Sequence, residues 1–261
     1  MRVILMGKHK RSAVGALEHL TKGGCEVVAV VAPPEPGDAT EPQRLDLAAE
    51  RHGIELTTDH ELYARIERGE LPDIDLVLSF LFWKRIRAPL IELGRIGCLN
   101  FHPAPLPDIR GLGGFNVAIL EGFEKWGVSS HFVDEEFDTG DLVLVERFAI
   151  EPDATALSLD IESQARLLAV FRRVIDMALA GEELPRAAQS AGRYVTREQF
   201  EEMRRVPPGE DAQTLERRIR AFWYPPFDGA TIEVAGRTVS LVDRHLLEEV
   251  AVVYRRADRV P

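Results

Sequence analysis

Cysteine is scarce in this chain of 261 residues, and its two examples, Cys25 and Cys98, lie inside apolar runs. That count excludes a disulfide framework and reads as two reduced core thiols. Long apolar runs are also missing. The opening Met1-Arg-Val-Ile-Leu-Met-Gly7 is too short for a signal peptide and ends at Lys8-His9-Lys10-Arg11. No segment approaches the ~18 apolar residues of a membrane span, so a cytoplasmic protein without a membrane partner is expected. Basic charge is in deficit, with 32 Lys and Arg against 43 Asp and Glu and a formal charge of −11. The deficit argues against nucleic acid as a partner, although a local basic face survives a negative total. The usual phosphate and nucleophile signatures are missing as well. Gly7 opens no G-x-G-x-x-G pattern, and neither a P-loop nor a G-x-S-x-G elbow occurs. The seven histidines show no ligand spacing, so no metal is expected.

What remains is an apolar fraction of 45%, ample for a core without staples. Short apolar runs alternate with amphipathic segments in the first half, the pattern of parallel strands joined by crossover helices. Strands are expected over Arg2 to Met6, Cys25 to Ala32, Ile74 to Phe82 and Gly97 to Phe101. Helices are expected over Ser12 to Leu20, with Ser12 as N-cap, and over Glu41 to His52 and Ala88 to Leu93. Gly113-Gly114 opens a further helix, Phe115 to Glu121. Gly127 to Val133 and Leu142 to Ile150 read as paired strands, followed by a long helix from Ala156 to Ala180 that Gly181 caps. These elements make an α/β fold, a Rossmann-like mostly parallel sheet with flanking helices, over residues 1–190. Residues 191–261 read as a small C-terminal α+β appendage, with a helix near Ala212 to Phe222 and a hairpin turning at Ala235-Gly236.

The chemistry concentrates at Asn100-Phe101-His102-Pro103, followed by Pro105-Leu106-Pro107 and Arg110-Gly111. Asn100 and His102 are two apart, so on a strand they share a face, and Pro103 stops that strand. Ligands of open α/β sheets gather beyond the carboxyl ends of strands, where this pair sits. Phe137-Asp138-Thr139-Gly140-Asp141 follows a helix and a strand later. It adds a carboxylate at Asp138, although Asp-Thr-Gly-Asp is also ordinary turn chemistry and Asp141 is the nearest competitor. A lone histidine reads first as a core residue. The asparagine before it, the proline-rich loop after it and the strand-end position turn His102 into a catalytic candidate. A carboxamide, an imidazole and a carboxylate hold a carbonyl, move a proton and orient the base, which is the equipment of acyl transfer with a small acyl group. Phe80-Leu-Phe-Trp83 reads as partly core, with Lys84-Arg85 leaving the sheet at a ligand-facing edge. Lys8-His9 is either a solvated loop or an anion grip beside the first strand.

These residues resemble the formyltransferase family that uses N10-formyltetrahydrofolate. Its hallmark is an Asn-x-His, a proline-containing loop and a later Asp-x-Gly, here Asn100-Phe-His102, Leu106-Pro107-Asp-Ile-Arg110-Gly111 and Asp138-Thr-Gly140. The similarity runs through residues 73–150 and more weakly over 1–190. It implies a catalytic trio of Asn100, His102 and Asp138. It also implies a pterin held between Phe82, Trp83, Lys84, Arg85 and Ile86 on one side and Val133, Asp134 and Phe137 on the other. Substrate contacts are expected from Lys8, His9, Arg110 and Gly111. One departure stands out: the family loop usually reads Ser-Leu-Leu-Pro, and here it is Ala104-Pro105-Leu106-Pro107. Asn100 would donate to the oxyanion formed when an amine attacks the formyl carbon. A protonated His102, its pKa raised by Asp138, would add charge.

Several acceptor amines occur in this family. A glycinamide ribonucleotide enzyme would resemble residues 1–190 and then stop, and a formyltetrahydrofolate hydrolase would carry an N-terminal regulatory domain. A methionyl-tRNA enzyme carries a larger C-terminal barrel than residues 191–261 hold. The segment Arg217-Arg218-Ile-Arg220-Ala-Phe222 to Gly229-Ala230 is similar to one shared by sugar and tRNA members. The resemblance therefore implies formylation of a nucleotide-linked amino sugar, by a homodimer. Hydroxyornithine, methionyl-tRNA and a non-catalytic folate-binding module stand as alternatives.

Overall fold

The computed structural model describes residues 1–248. The elements run β1 (Arg2–Gly7), α1 (Arg11–Lys22), β2 (Glu26–Val31), α2 (Leu45–Arg51), β3 (Leu56–Thr57), α3 (Asp59–Glu67), β4 (Ile74–Phe80) and β5 (Gly94–His102). Then come β6 (Ile109–Gly111), α4 (Gly114–Leu120), β7 (Lys125–Phe132), β8 (Leu142–Ala149) and α5 (Ala156–Leu179). The chain continues through β9 (Arg193–Val195), α6 (Arg197–Arg204), α7 (Ala212–Ala221), β10 (Ala230–Val234) and β11 (Arg237–Leu241). Seven strands form one sheet in the order β3-β2-β1-β4-β5-β7-β8. The pairs β2/β3, β1/β2, β1/β4 and β4/β5 are parallel, and β5/β7 is antiparallel. This is a Rossmann-like α/β fold. Its central strands carry apolar side chains on both faces, because helices cover both, which is why β1 and β4 read as nearly continuous apolar runs.

The chain divides into two compact units. The first holds Met1–Arg110, Gly127–Phe148 and Glu162–Arg193; the second holds Gly111–Trp126, Ala149–Ile161 and the chain from Tyr194 onward. In the first unit Phe80, Phe101 and Phe171 meet beneath β4 and β5, with ring centroids 4.7 to 5.9 Å apart. Such aromatic pairs contribute about 0.5–1.5 kcal/mol each beyond the area they bury. This trio anchors α5 under the strand that bears Asn100 and His102. In the second unit, Asn116 Nδ2 donates to the Ala221 carbonyl at 2.6 Å, and Phe200 packs on Phe222 at 5.5 Å. The β10–β11 hairpin turns at Ala235-Gly236, both with positive φ, as the sequence pattern requires.

Several expected boundaries move, each for a local reason. Ser12 is not the cap of α1. The helix starts at Arg11 behind Lys10, and the Ser12 hydroxyl donates to Gln164 Oε1 at 3.1 Å. The expected helix Glu41 to His52 is split into a 3-10 turn, Glu41–Gln43, and α2, because Arg44 is extended at ψ 100°. Ala88 to Leu93 forms turns rather than a helix, with mixed three- and four-residue hydrogen bonds such as Leu90 N–H to Arg87 O and Ile91 N–H to Arg87 O. A six-residue segment offers at most two four-residue hydrogen bonds of its own, too few to offset the cost of helix nucleation. The strand expected to reach Phe82 ends at Phe80, where Leu81 takes a left-handed φ of 58°. Short elements β3, β6, β9, α3 and α6 carried too little periodicity to be read. A Thr196-to-Gln199 capping box was the overlooked signal for α6.

Gly181, with φ 75°, follows α5 as expected. Cys25 and Cys98 are free, buried thiols, and burial pushes both pKa values up. No helix among the described residues is long and apolar enough to cross a membrane. No group of three or more His, Cys, Asp or Glu side chains among them could hold a metal ion.

Candidate active site

β5 delivers the central residues. Phe101 points into the core at 0% exposure, so Asn100 and His102 project together from the opposite face. Sheet register then surrounds Asn100. Ser79 of β4 and His131 of β7 are its direct partners on the two neighbouring strands. Across this row the Ser79 hydroxyl donates to Asn100 Oδ1 at 2.7 Å, and Asn100 Nδ2 lies 3.0 Å from His131 Nε2. His131 Nδ1 is 2.7 Å from the Phe132 carbonyl, which can only accept. The proton therefore sits on Nδ1, and Nε2 accepts from Asn100. Neither Ser79 nor His131 stood out in the sequence, because strand pairing, not spacing along the chain, brings them here.

Asp138 closes the cluster from the loop between β7 and β8. Its Oδ1 lies 3.4 Å from Asn100 Nδ2, 3.5 Å from His131 Nε2 and 3.7 Å from His102 Nδ1. Burial holds the His102 imidazole below the usual histidine value; Asp138 pulls it up, and His131 pushes it further down. This corrects the expectation of a raised pKa and a protonated ring. Burial alone would raise the Asp138 pKa, but the neighbouring His102, His131 and Arg110 outweigh it, so the carboxyl stays below its ordinary value. The pair therefore rests as a neutral imidazole beside a carboxylate. That is a base with its orienting group.

Arg110 is half-buried in the same unit, with a buried Nε that has no protein hydrogen-bond partner. Gly111 has φ 87°, and a Cβ there would stand 2.4 Å from the Val195 carbonyl. That close approach accounts for the glycine. Asp141, the competing carboxylate, lies 3.8 Å from Arg186 instead. Lys8 is exposed at the end of β1. His9 turns inward: Nδ1 accepts from the Leu45 N–H at 3.2 Å and Nε2 donates to the Pro33 carbonyl at 3.1 Å. Both ring nitrogens of His9 thus join backbone segments and not the Asn100 cluster.

The residues expected to flank a pterin occupy two loops of the first unit. Ile86 is buried, and Phe82 and Val133 pack against the same apolar cluster. Trp83 and Phe137 are exposed by 38% and 53%. Lys84 pairs with Asp59 at 2.7 Å. Arg85 donates to the Glu135 carbonyl and lies 5.8 Å from the Phe137 ring centroid. Asp134 Oδ1 accepts from the Glu136 N–H at 3.2 Å and the Thr139 hydroxyl at 2.7 Å. Trp83 packs against Phe82 with ring centroids 4.6 Å apart, so the first of these loops carries an aromatic pair at the edge of the core.

Sheet, strand-end position and cluster together define an α/β enzyme built for proton-assisted transfer at a small carbonyl. A family model described as formyl transferase matches residues 2–174. The chain belongs to that family. It is 31% identical over 248 residues to the methionyl-tRNA formyltransferase of Parvibaculum lavamentivorans, covering 92% of this chain and 79% of that protein. It is 32% identical over 173 residues to the GDP-perosamine N-formyltransferase of Brucella melitensis, covering 66% of this chain and 65% of the relative. In fold it matches the N-formyltransferase of Helicobacter canadensis, solved with folinic acid and dTDP-3-aminofucose. That match has a TM-score of 0.73 at 20% identity, over 90% of this chain and 85% of that one.

Proposed function

We propose that this enzyme transfers a formyl group from N10-formyltetrahydrofolate to the primary amine of a nucleotide-linked amino sugar. One observation carries the chemistry: a neutral His102 held beside the Asp138 carboxylate, next to an Asn100 amide braced from both neighbouring strands. The attacking amine must lose a proton once its nitrogen bonds to the formyl carbon. Neutral His102 takes that proton, and ionised Asp138 stabilises the imidazolium that results. Asn100 keeps one Nδ2 hydrogen on His131 and turns the other from its long 3.4 Å contact with Asp138 to the oxyanion. A preorganised donor of this kind contributes about 3–4 kcal/mol to the transition state. Proton return from His102 to N10 of the folate then releases tetrahydrofolate, and no covalent enzyme intermediate is required.

Phe82 to Ile86 and Val133, Asp134 and Phe137 form the pterin site in this reading, and residues 1–190 serve as the catalytic core. Arg110, with an unpartnered buried Nε, faces the anionic part of the substrate together with Lys8, while His9 holds the backbone beside Lys8. The sugar acceptor is supported by the 32% identity to a GDP-perosamine enzyme, by the fold match to a protein solved with a nucleotide amino sugar, and by the net charge of −11. The similarity to a methionyl-tRNA enzyme over 92% of the chain favours a second acceptor, the aminoacyl end of that tRNA.

The test follows tetrahydrofolate release with N10-formyltetrahydrofolate and a panel of dTDP-, UDP- and GDP-amino sugars, hydroxyornithine and methionyl-tRNA. Turnover of a nucleotide sugar that His102→Ala abolishes is the expected result. Turnover of methionyl-tRNA alone would replace the sugar. Folate binding without any turnover would overturn the catalytic reading.

A further inference from the structure

The loop that carries Asp138 is awkward to hold. Asp138 itself has a left-handed φ of 56°, a conformation costing about 1 kcal/mol or more in a residue other than glycine. Gly140, two residues on, runs so close to β7 that a Cβ there would stand 2.0 Å from the Phe132 carbonyl. Strained backbone of this kind persists only where its surroundings over-determine it.

Those surroundings are supplied largely by a short segment after α5, Arg186 to Gln189. The Arg186 guanidinium lies on the Phe132 ring, 3.4 Å from its centroid, and 3.8 Å from the Asp141 carboxylate. Ala187 pairs with Leu142 through both backbone bonds, at 2.8 and 3.0 Å. Gln189 Nε2 donates to the Gly140 carbonyl at 2.6 Å. The other end of the loop is held by Arg85 on Glu135 O and by the internal Asp134–Thr139 bond. Gln189 is a costly way to fill space, because its Oε1 is buried with no protein partner, a loss of about 1–3 kcal/mol that an aliphatic side chain would avoid. Its amide is therefore explained by the bond to Gly140.

We infer that Gln189 is a positioning residue: through the Gly140 carbonyl it sets the place of the Asp138 carboxylate against Asn100, His102 and His131. This rests on the catalytic role proposed for Asp138. It adds a determinant of that role from outside the cluster, in the segment that follows α5.

The experiment uses Gln189→Leu, with Gln189→Met as a second variant of similar volume should the first fail to fold. It reads steady-state formyl transfer and, without substrate, the NMR titration of the His102 ring, whose titratable neighbours are Asp138 and His131, with Arg110 acting on Asp138. Expected is a fall in kcat of about tenfold or more, with the folate KM within about twofold, since ångström-scale misplacement of a reacting group costs that much. The His102 midpoint should move down as the Asp138 charge withdraws. Placed on an Asp138→Asn background, the same change should lower kcat no further. A folded variant with the wild-type His102 midpoint overturns the inference, as does a loss that adds in full to that of Asp138→Asn. Should the wild-type enzyme turn over no amine, the proposed function fails, while the substrate-free titration still decides the role of Gln189.

Discussion

Adjacent serines on β7 face opposite ways, and their removal should have opposite consequences. Ser129 is fully buried, accepts from the Leu106 N–H at 2.9 Å and donates to the Ala104 carbonyl at 2.7 Å. It thus ties down the loop that leaves His102, supplying from a neighbouring strand a hydroxyl that Ala104 does not carry. Ser130, also fully buried, has no hydrogen-bond partner for its Oγ. Ser129→Ala leaves a buried N–H and a buried carbonyl with only their strained mutual contact of 3.1 Å. At about 1–3 kcal/mol for an orphaned buried polar group, and with that contact partly retained, the cost is about 2–3 kcal/mol. For a chain of this size each kcal/mol shifts the midpoint by about 2–4 °C, so the loss in Tm is about 4–12 °C. Ser130→Ala removes a buried hydroxyl that gains nothing, and its stability should match or exceed that of the wild type. Urea unfolding and calorimetry of the two variants provide the comparison. Equal destabilisation by both, or none by Ser129→Ala, would refute this account of the loop.

Four further outcomes follow from geometry described above. Because burial lowers the His102 pKa beneath its ordinary 6.5, the acid limb of kcat/KM should lie below 6.5, and Asp138→Asn should both reduce the plateau and move that limb lower. The same shift means that the unfolded chain takes up this proton first. Stability from neutral His102 is therefore full above 6.5 and falls as pH drops toward the folded-state value, which denaturation at a series of pH values will show. Arg218 and Glu210 form a nearly buried ion pair at 2.5 Å, so Arg218→Met should cost about 3–5 kcal/mol in urea unfolding, whereas replacing both residues with apolar ones should cost far less. Gly140→Ala forces backbone apart at the Asp138 turn and should cost at least about 1–3 kcal/mol with a parallel loss of turnover.

The parts of this protein legible in its sequence are those written locally. Parallel strands buried on both faces leave apolar runs, and Asn100 and His102 stand two apart on one strand end, so fold class and candidate trio could be read together. What escaped reading depends on partners distant in the chain. His131 reaches Asn100 across 31 positions through β5–β7 register, and Ser79 does so from β4 across 21. No spacing rule contains either distance. His9 shows the same limit: its place beside a strand end is legible, but its partners, the Pro33 carbonyl and the Leu45 N–H at the start of α2, are not. The protonation state of His102 escaped for a related reason, since burial opposes a carboxylate whose effect is easy to infer from sequence alone.

The row Ser79, Asn100, His131 crosses one parallel and one antiparallel pairing. Slipping either neighbour by a single residue would swing its side chain to the far face of the sheet and strip the carboxamide of one brace. No partly annealed sheet can therefore hold a half-competent version of this cluster. Recovery of turnover during refolding should accordingly time the moment when β5 locks against both of its neighbours, making the reaction a clock for the last correct strand alignment rather than for collapse.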